Sequence, residues 1–247
     1  MPATVPQELE GTPAAFVSQA ELSLRAPWAA SIAGLLFALF FTAGLVLIRS
    51  SPLATANDDA RVVRLFRESQ DWWLLIGSLY LLPFSGIMFL WFVAVIRDQV
   101  GEREDRFFAT VFFGSGLLFV ASLFVTAAVA GSMVVSVRYL GLGPPTATEI
   151  DLVRALSYTL LFAISTRAAA VFLISLGTIG LRSGAFPRWF ALTGYLLGGL
   201  LMVIVTIWDW VVLVLPAWVA VVSLFILRRE RGIRTAARPD AASRPPS

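Results

Sequence analysis

The sequence predicts an all-α fold: a polytopic membrane helix bundle with six transmembrane helices and both termini in the cytoplasm (N-in/C-in). Hydrophobic residues make up 58% of the 247 residues and charged residues only 14%, whereas about a quarter of the residues in an ordinary soluble domain are charged. The hydrophobic residues also form long runs without period-two alternation. Because backbone amides in lipid must be hydrogen-bonded within the chain, such runs indicate helices rather than a barrel.

Six apolar runs are each close to the length that crosses a membrane. A hydrocarbon layer of about 30 Å requires roughly 20 helical residues. The predicted spans are 28–48, 72–96, 107–137, 152–181, 187–208 and 211–227. Only Asp209 and Trp210 separate the last two, so these can also be interpreted as one re-entrant or broken unit. Tryptophans at predicted ends, such as Trp28, Trp72 and Trp189, favour these boundaries because indole prefers the headgroup layer.

The arginines predict the orientation of the bundle. If the N-terminus is inside, twelve of the nineteen arginines lie in cytoplasmic segments and six lie in outer segments, including the projecting start of the fourth helix. The remaining one, Arg167, lies inside a span. This bias predicts N-in/C-in by the positive-inside rule, although the C-terminal tail supplies half of the inner arginines.

The spans divide the chain into a cytoplasmic leader (1–27), a transmembrane domain (28–227) and a basic cytoplasmic tail (228–247). The leader carries three glutamates against Arg25, which is the wrong charge pattern for a secretory signal. We expect the leader to form a short surface helix or to be disordered. We expect disorder in the tail from about residue 232, because it has almost no apolar residues. Its arginines are expected to contact anionic lipid headgroups.

Arg167 is the leading candidate for a ligand-binding or ion-pairing residue, because a charge inside a membrane helix is costly and normally faces a partner or water. Thr146 and Glu149 are spaced as a capping box, so the fourth helix is expected to begin outside the membrane. Arg167 would then lie roughly 10 Å below the outer surface. Asp209 is the candidate partner across the bundle. In the alternative, structural interpretation, Arg167 reaches toward the headgroups or binds backbone carbonyls.

Pro83 and Gly86 predict a hinge in the second span. Pro83 removes one backbone donor and disturbs the carbonyl of Leu79, so the helix is expected to kink there. A kink can form a gate or a binding site. Proline is also common in membrane helices for structural reasons alone, and this alternative stays open.

Small residues predict close contacts between helices. Gly194 and Gly198 have small-xxx-small spacing, and the third helix contains Ala121, Ala128 and Gly131. Such residues let helices approach closely, so we expect packing faces within the bundle. A homo-oligomer face is the alternative.

The predicted cytoplasmic loop 97–106 carries seven charges in ten residues. Arg97, Arg103 and Arg106 are therefore candidates for docking a cytoplasmic protein partner. The alternative is a solvated turn with internal ion pairs.

Several kinds of chemistry lack support in the sequence. The chain contains neither Cys nor His, which excludes disulfides and both thiolate and imidazole metal ligands. The sequence contains no phosphate loop, HExxH motif, acidic cluster inside a span or recognisable nucleophile. We therefore expect no enzymatic activity, no catalytic residue, no cofactor and no metal site. The net charge of +3 does not favour nucleic-acid binding.

Four segments resemble those of a family of uncharacterised bacterial multi-pass membrane proteins. They are Gly86–Asp98, Gly101–Thr110, Phe186–Phe190 and Pro216–Trp218, and the similarity extends from the second span through the sixth. This resemblance implies six helices and a location in the bacterial inner (plasma) membrane. It implies no activity and no functional residues.

Two hypotheses on function follow. The first is a small-solute or ion transporter, or a transporter subunit, with an outward-facing polar cavity around Arg167. The alternative is a non-catalytic membrane scaffold or sensor subunit that docks a cytoplasmic partner through the loop 97–106 and the tail. No inverted repeat relates the two halves of the sequence, which weakens the transporter hypothesis.

Overall fold

The computed structural model describes residues 13–50, 64, 72–100, 106–183, 187–204 and 209–236. Within this part of the chain all regular structure is helical, and the helices pack around one large apolar core and a smaller cluster of Leu74, Met133, Val134 and Ile150. The predicted all-α membrane bundle is therefore confirmed.

Six long helices follow one another in the described residues. Helix α1 is Pro13–Ser50; α2 joins Trp72–Leu75, a π-helical segment Ile76–Leu81, and Leu82–Val100; α3 is Arg106–Arg138; α4 joins Ala147–Tyr158, a π-helical segment Thr159–Ser165, and Thr166–Ser183; α5 is Arg188–Val203; and α6 is Val214–Ala236, preceded by a short 3-10 helix, Asp209–Leu213.

Five of the described helices are long and apolar enough to cross a membrane, and α5 is shorter. Its 16 residues span about 24 Å at a rise of about 1.5 Å per residue. The predicted span 187–208 is longer than this helix, because Ile204 adopts an extended backbone (φ −79°, ψ 117°) that ends the helix at Val203. The number of crossings and the N-in/C-in orientation stay predictions.

The first and last helices of the described chain extend further than the sequence predicts. Helix α1 is continuous from Pro13, so residues 13–27 form neither a separate surface helix nor a disordered segment. Proline at the start of a helix is favourable because its missing N–H would be unpaired there in any case. Helix α6 continues to Ala236, which lies within the tail that was expected to be disordered. The Arg and Ala residues of this stretch are good helix formers.

Successive helices run antiparallel, and α6 returns to pack beside α1. Gly34 of α1 lies against Phe92 of α2 and Val219 of α6. Further along α1, the guanidinium of Arg49 lies over the ring of Trp210, 5.6 Å from its centroid. Helix α3 packs between α2 and α4, and α5 packs against α4. We refer to the end of the bundle that contains Arg49 and Trp210 as the Arg49 end.

Phenylalanines from four helices meet at the centre of the bundle. The ring of Phe89 in α2 lies 4.7 Å from Phe37 of α1, 5.0 Å from Phe119 of α3 and 5.0 Å from Phe172 of α4 (centroid distances). All four side chains are fully or almost fully buried. Each ring buries a large apolar area in a defined geometry, so this cluster holds the four helices together.

Glycines bring α4 and α5 into close contact, which confirms the predicted role of Gly194 and Gly198. A Cβ atom on Gly194 would lie 3.0 Å from the carbonyl oxygen of Leu173, and one on Gly198 would lie 2.9 Å from that of Ala170. The small residues of α3 divide between two faces. Gly131 is buried against Leu79 of α2, whereas Ala121 and Ala128 are exposed on the outside of the bundle.

Replacing the neighbouring residues Gly198 and Gly199 with Ala should have opposite effects on the stability of the protein. Gly198→Ala should lower the thermal stability of the purified protein, because the new methyl group would meet the backbone of α4. Gly199→Ala meets nothing within 4 Å and should raise stability slightly, since Ala is favoured over Gly in a helix by about 0.8–1.0 kcal/mol. Thermal unfolding of both variants in the same detergent measures the difference. Equal or greater stability of Gly198→Ala would contradict the α4–α5 contact.

Candidate functional site

A capping box fixes the beginning of α4 at the Arg49 end, as the sequence predicts. The backbone N–H of Thr146 donates to Glu149 Oε2 (2.7 Å), and the backbone N–H of Glu149 donates to Thr146 Oγ1 (3.4 Å). These two bonds pair N–H groups that have no partner within the helix. The helix therefore begins before the predicted span and carries Arg154 and Tyr158 in its first turns.

A cavity of about 530 Å³ lies at the Arg49 end, between α1, α2, α3 and α4. Its polar lining includes Arg49, Arg154 and Tyr158, and its apolar lining includes Leu82, Leu161 and Phe162. Two helices that are far apart in the chain, α1 and α4, thus each place one arginine at the same cavity.

The two arginines place two guanidinium groups in the lining of this cavity. Arg154 Nη1 lies 3.6 Å from Asp151 Oδ1, but the Asp151 side chain is 70% exposed. Such a solvent-exposed pair contributes little to stability. The guanidinium of Arg49 lies over the ring of Trp210, a cation–π contact that orients it. The arrangement can bind an anion.

A π-helical segment in α2 lies beside the cavity and precedes the predicted hinge. The backbone N–H of Leu82, a lining residue, donates to the carbonyl of Gly77 five residues earlier. Pro83 follows directly and has no N–H of its own, so the helix adjusts to the missing donor by widening. Gly86 lies in a tight contact, since a Cβ atom there would lie 2.7 Å from Phe124 Cε1 of α3. Whether Pro83 and Gly86 act as a hinge stays a prediction.

Arg167 lies away from this cavity, in a groove on the outer surface of the bundle between α3 and α4. The groove has a volume of about 570 Å³ and shares no lining residue with the cavity at the Arg49 end. Its walls include Gly114, Leu118 and Ile164, which are exposed to the surroundings of the bundle. Arg167 thus lies in a mainly apolar groove. The cavity with the polar lining lies elsewhere in the bundle. The two regions lie at successive positions along α4, the cavity at residues 153–162 and the groove at residues 163–171.

The side chain of Arg167 donates to its own helix. Arg167 Nη1 lies 2.6 Å from the carbonyl oxygen of Ala163, so the side chain points toward the N-terminus of α4, as expected. The two preceding residues behave in the same way: Ser165 Oγ donates to Leu160 O (3.0 Å) and Thr166 Oγ1 to Phe162 O (2.6 Å). Three consecutive side chains therefore satisfy carbonyls of the π-helical segment, where the α-helical bonding pattern is interrupted. This bonding supports the structural interpretation of Arg167.

The remaining predicted site residues lie wholly or partly outside the described region. The backbone of Asp209 begins the 3-10 helix, but its side chain is outside the described residues, so the predicted pair with Arg167 stays a prediction. Arg103 and the side chain of Arg106 are also outside them. Arg97 is exposed and lies over the ring of Phe113 of α3, 5.2 Å from its centroid.

The sequence analysis did not identify Arg49 and Arg154 as binding residues. Both were counted only as evidence of orientation, because each lies at or beyond the end of an apolar run. The one signal for Arg154 was the capping box, which predicts that α4 begins outside the membrane. Nothing in a single sequence indicates that the end of α1 lies beside the start of α4.

Comparison with known proteins gives no match: no family model fits the chain, and no curated protein or solved structure is significantly similar to it. Apolar helices of membrane-spanning length show that the chain is an integral membrane protein of the multi-pass helical class. Among the described residues, no group of three or more acidic side chains is placed to hold a metal ion. Any more specific function must be argued from the cavity and the groove.

Replacing Arg167 with Met should change the free energy of unfolding by no more than about 1 kcal/mol. The lost bond to Ala163 is worth about 1 kcal/mol, and removing a charge from an apolar groove offsets that loss. Thermal and denaturant unfolding in detergent measure the change.

The companion variant Asp209→Asn tests the predicted ion pair. If both single substitutions cost about 3–5 kcal/mol and the double variant costs no more than either, the two residues form a buried pair. That result would contradict the structural interpretation of Arg167.

Proposed function

We propose that this protein is a small-solute transporter, or the membrane subunit of one, in the bacterial inner membrane, and that the cavity at the Arg49 end binds an organic anion. The observation that carries the proposal is the presence of Arg49 and Arg154 in the lining of one cavity. The proposal involves no catalytic step.

The size and composition of the cavity support binding of a small molecule. Its volume of about 530 Å³ lies within the range of roughly 300–1,000 Å³ that is typical of ligand sites. Such sites combine apolar walls with a few polar groups that orient the ligand. Guanidinium groups bind carboxylate, sulfonate and phosphate oxygens through paired N–H donors. The positive-inside prediction places this cavity on the outer side of the membrane, where a solute enters from outside.

The π-helical segments support movement of the solute after binding. Leu82 borders the first segment, and Thr159, Leu161 and Phe162 belong to the second. Segments of this kind interrupt regular helical bonding and occur often at functional sites. Two of them beside one cavity are suitable places for α2 and α4 to change conformation when the cavity opens or closes. Pro83 adds a fixed backbone angle at the end of the first segment.

Uptake into liposomes tests this proposal. The full-length protein, reconstituted into liposomes, should take up radiolabelled benzenesulfonate faster than protein-free liposomes do. A sulfonate is a suitable probe because it keeps its charge at every accessible pH and crosses lipid slowly. Arg49→Gln and Arg154→Gln should each lower uptake at least about tenfold, since a hydrogen bond to a charged group is worth about 1.5–3 kcal/mol.

Arg138→Gln is the matched control for both variants. Arg138 is the last residue of α3 and is exposed, but it does not line the cavity. Uptake by the Arg138→Gln variant should equal that by the unchanged protein. If Arg49→Gln and Arg154→Gln also transport normally while remaining folded, as judged by thermal unfolding, the cavity is not the binding site.

A further inference from the structure

We infer that the groove between α3 and α4 binds an anionic phospholipid from the surrounding bilayer, with the lipid phosphate at Arg167 and one acyl chain along the apolar walls. The inference is independent of the proposed function, because the groove shares no lining residue with the cavity at the Arg49 end. It assigns a ligand to the outer surface of the bundle and involves no chemical step.

The described part of the protein supplies no counter-charge for Arg167. Within that part, the bond from Nη1 to the carbonyl oxygen of Ala163 is the one hydrogen bond or ion pair of this side chain. No acidic residue is among those that line the groove there. The hydroxyl of Ser115, the other polar lining group, donates to the carbonyl of Phe112 (3.0 Å). Because a guanidinium carries several N–H donors, donors of Arg167 remain available to a ligand.

A charge at this position favours an anion that comes from the membrane. The outside of a membrane bundle contacts hydrocarbon, where an unpaired charged side chain is costly and is normally paired. Phosphate groups of acidic lipids are anions that the bilayer itself contains, and basic residues attract them. A guanidinium binds phosphate oxygens through charge-assisted hydrogen bonds, which are stronger than neutral ones. An acidic phospholipid therefore supplies the missing partner.

The walls of the groove are accessible to an acyl chain. Leu118 is 53% exposed and Ile164 is 41% exposed, and the two residues belong to opposite walls. Gly114 also lines the groove, and a Cβ atom there would meet nothing within 4 Å. A chain in this space would contact α3 and α4 at once. Such van der Waals packing favours association within lipid, where the hydrophobic effect is absent.

The guanidinium and the apolar walls follow the order of the parts of a lipid molecule. Helix α3 ends and α4 begins at the Arg49 end, so Leu118 and Ala163 lie at that end of the groove and Val171 lies at the other. The bond to Ala163 holds the guanidinium at the first end. From Ala163 to Val171 the helix rises about 12 Å. With the Arg49 end outside, as the arginines predict, the phosphate faces the outer surface and the acyl chain runs toward the bilayer centre.

Site-directed fluorescence quenching tests the inference. The chain contains no cysteine, so Leu117→Cys provides a unique attachment site for a bimane fluorophore. Leu117 is 48% exposed and lies next to the groove without lining it. The labelled full-length protein is reconstituted in phosphatidylcholine vesicles that contain a small fraction of nitroxide-labelled phosphatidylglycerol or nitroxide-labelled phosphatidylcholine. A nitroxide on the acyl chain quenches bimane only at close range, so the two lipids at equal mole fraction report their relative affinity for the groove.

The anionic lipid should bind at least about threefold more strongly than phosphatidylcholine, whose phosphate is accompanied by a cationic group of its own. The preference should persist in about 1 M NaCl, where a screening length of about 3 Å suppresses attraction to exposed arginines but not to a partly buried one. Arg167→Met in the labelled protein should abolish the preference. Thermal unfolding confirms that each variant is folded.

Gly114→Leu and Ala121→Leu are a matched pair for the walls. Both positions are exposed and lie two helical turns apart on one side of α3, but only Gly114 lines the groove. Gly114→Leu should fold, because the space beside it is open. It should fill part of the groove and lower binding of phosphatidylglycerol at least about threefold. Ala121→Leu should leave binding unchanged.

Several results would overturn the inference. Equal quenching by the two lipids, or a preference that survives both Arg167→Met and Gly114→Leu, would show that the groove holds no acidic lipid. Displacement of the labelled lipid by glycerol phosphate in the aqueous phase would show a water-accessible anion site instead. Quenching that falls as the protein-to-lipid ratio rises would show a second copy in the groove. Energetic coupling between Arg167 and Asp209 would show that the protein supplies the anion itself.

All of these results are distinguishable from failure of the proposed function. Uptake of a solute depends on Arg49 and Arg154, whereas lipid binding depends on Arg167 and Gly114. Arg167→Met should therefore lose the lipid preference in vesicles and keep its uptake of benzenesulfonate.

Discussion

The structure depends on one constraint: a peptide group inside lipid has no water to bond with, so the chain itself must supply a partner. Regular α-helix meets this requirement without help from side chains. The two π-helical segments, Ile76–Leu81 and Thr159–Ser165, are the places where regular bonding changes. In the second segment Ser165, Thr166 and Arg167 donate to carbonyls of residues 160, 162 and 163. Arg167 therefore supplies one of the hydrogen bonds that the backbone of this segment needs. Its side chain lies in the groove on the outer surface of the bundle.

The same segments lie beside the cavity at the Arg49 end. A π-helical turn contains more residues than an α-helical turn, so it changes the direction in which later side chains point. In α4, Arg154 and Tyr158 line the cavity, whereas Arg167 lies further along the helix and lines the outer groove. The Phe37–Phe89–Phe119–Phe172 cluster lies at the centre of the bundle. The molecule thus combines a buried phenylalanine cluster at its centre with irregular backbone beside the cavity at the Arg49 end.

The features that could be predicted from the sequence are those that depend on composition or on residues close together in the chain. The fold class, the capping box of Thr146 and Glu149, and the packing glycines of α5 were predicted correctly, because each depends on composition or on residues within one or two helical turns. The cavity was not predicted, because it joins Arg49 to Arg154 across helices whose adjacency no single sequence reveals. The irregular backbone at Thr159–Ser165 has no proline or glycine to indicate it. The sequence therefore did not predict the irregular bonding that Ser165, Thr166 and Arg167 complete.

The shortness of α5 has a consequence for the surrounding membrane. Its side chains Leu192 and Leu196 are exposed on the outside of the bundle, yet its 16 residues reach only about 24 Å, less than the hydrocarbon thickness of about 30 Å. If α5 crosses the membrane, the lipid beside it must compress or the chain after Val203 must cover the difference. Compression on one side alone would make the bilayer around the protein asymmetric. A thinner membrane would lower the energetic penalty of that asymmetry, so the stability of the bundle would depend on bilayer thickness.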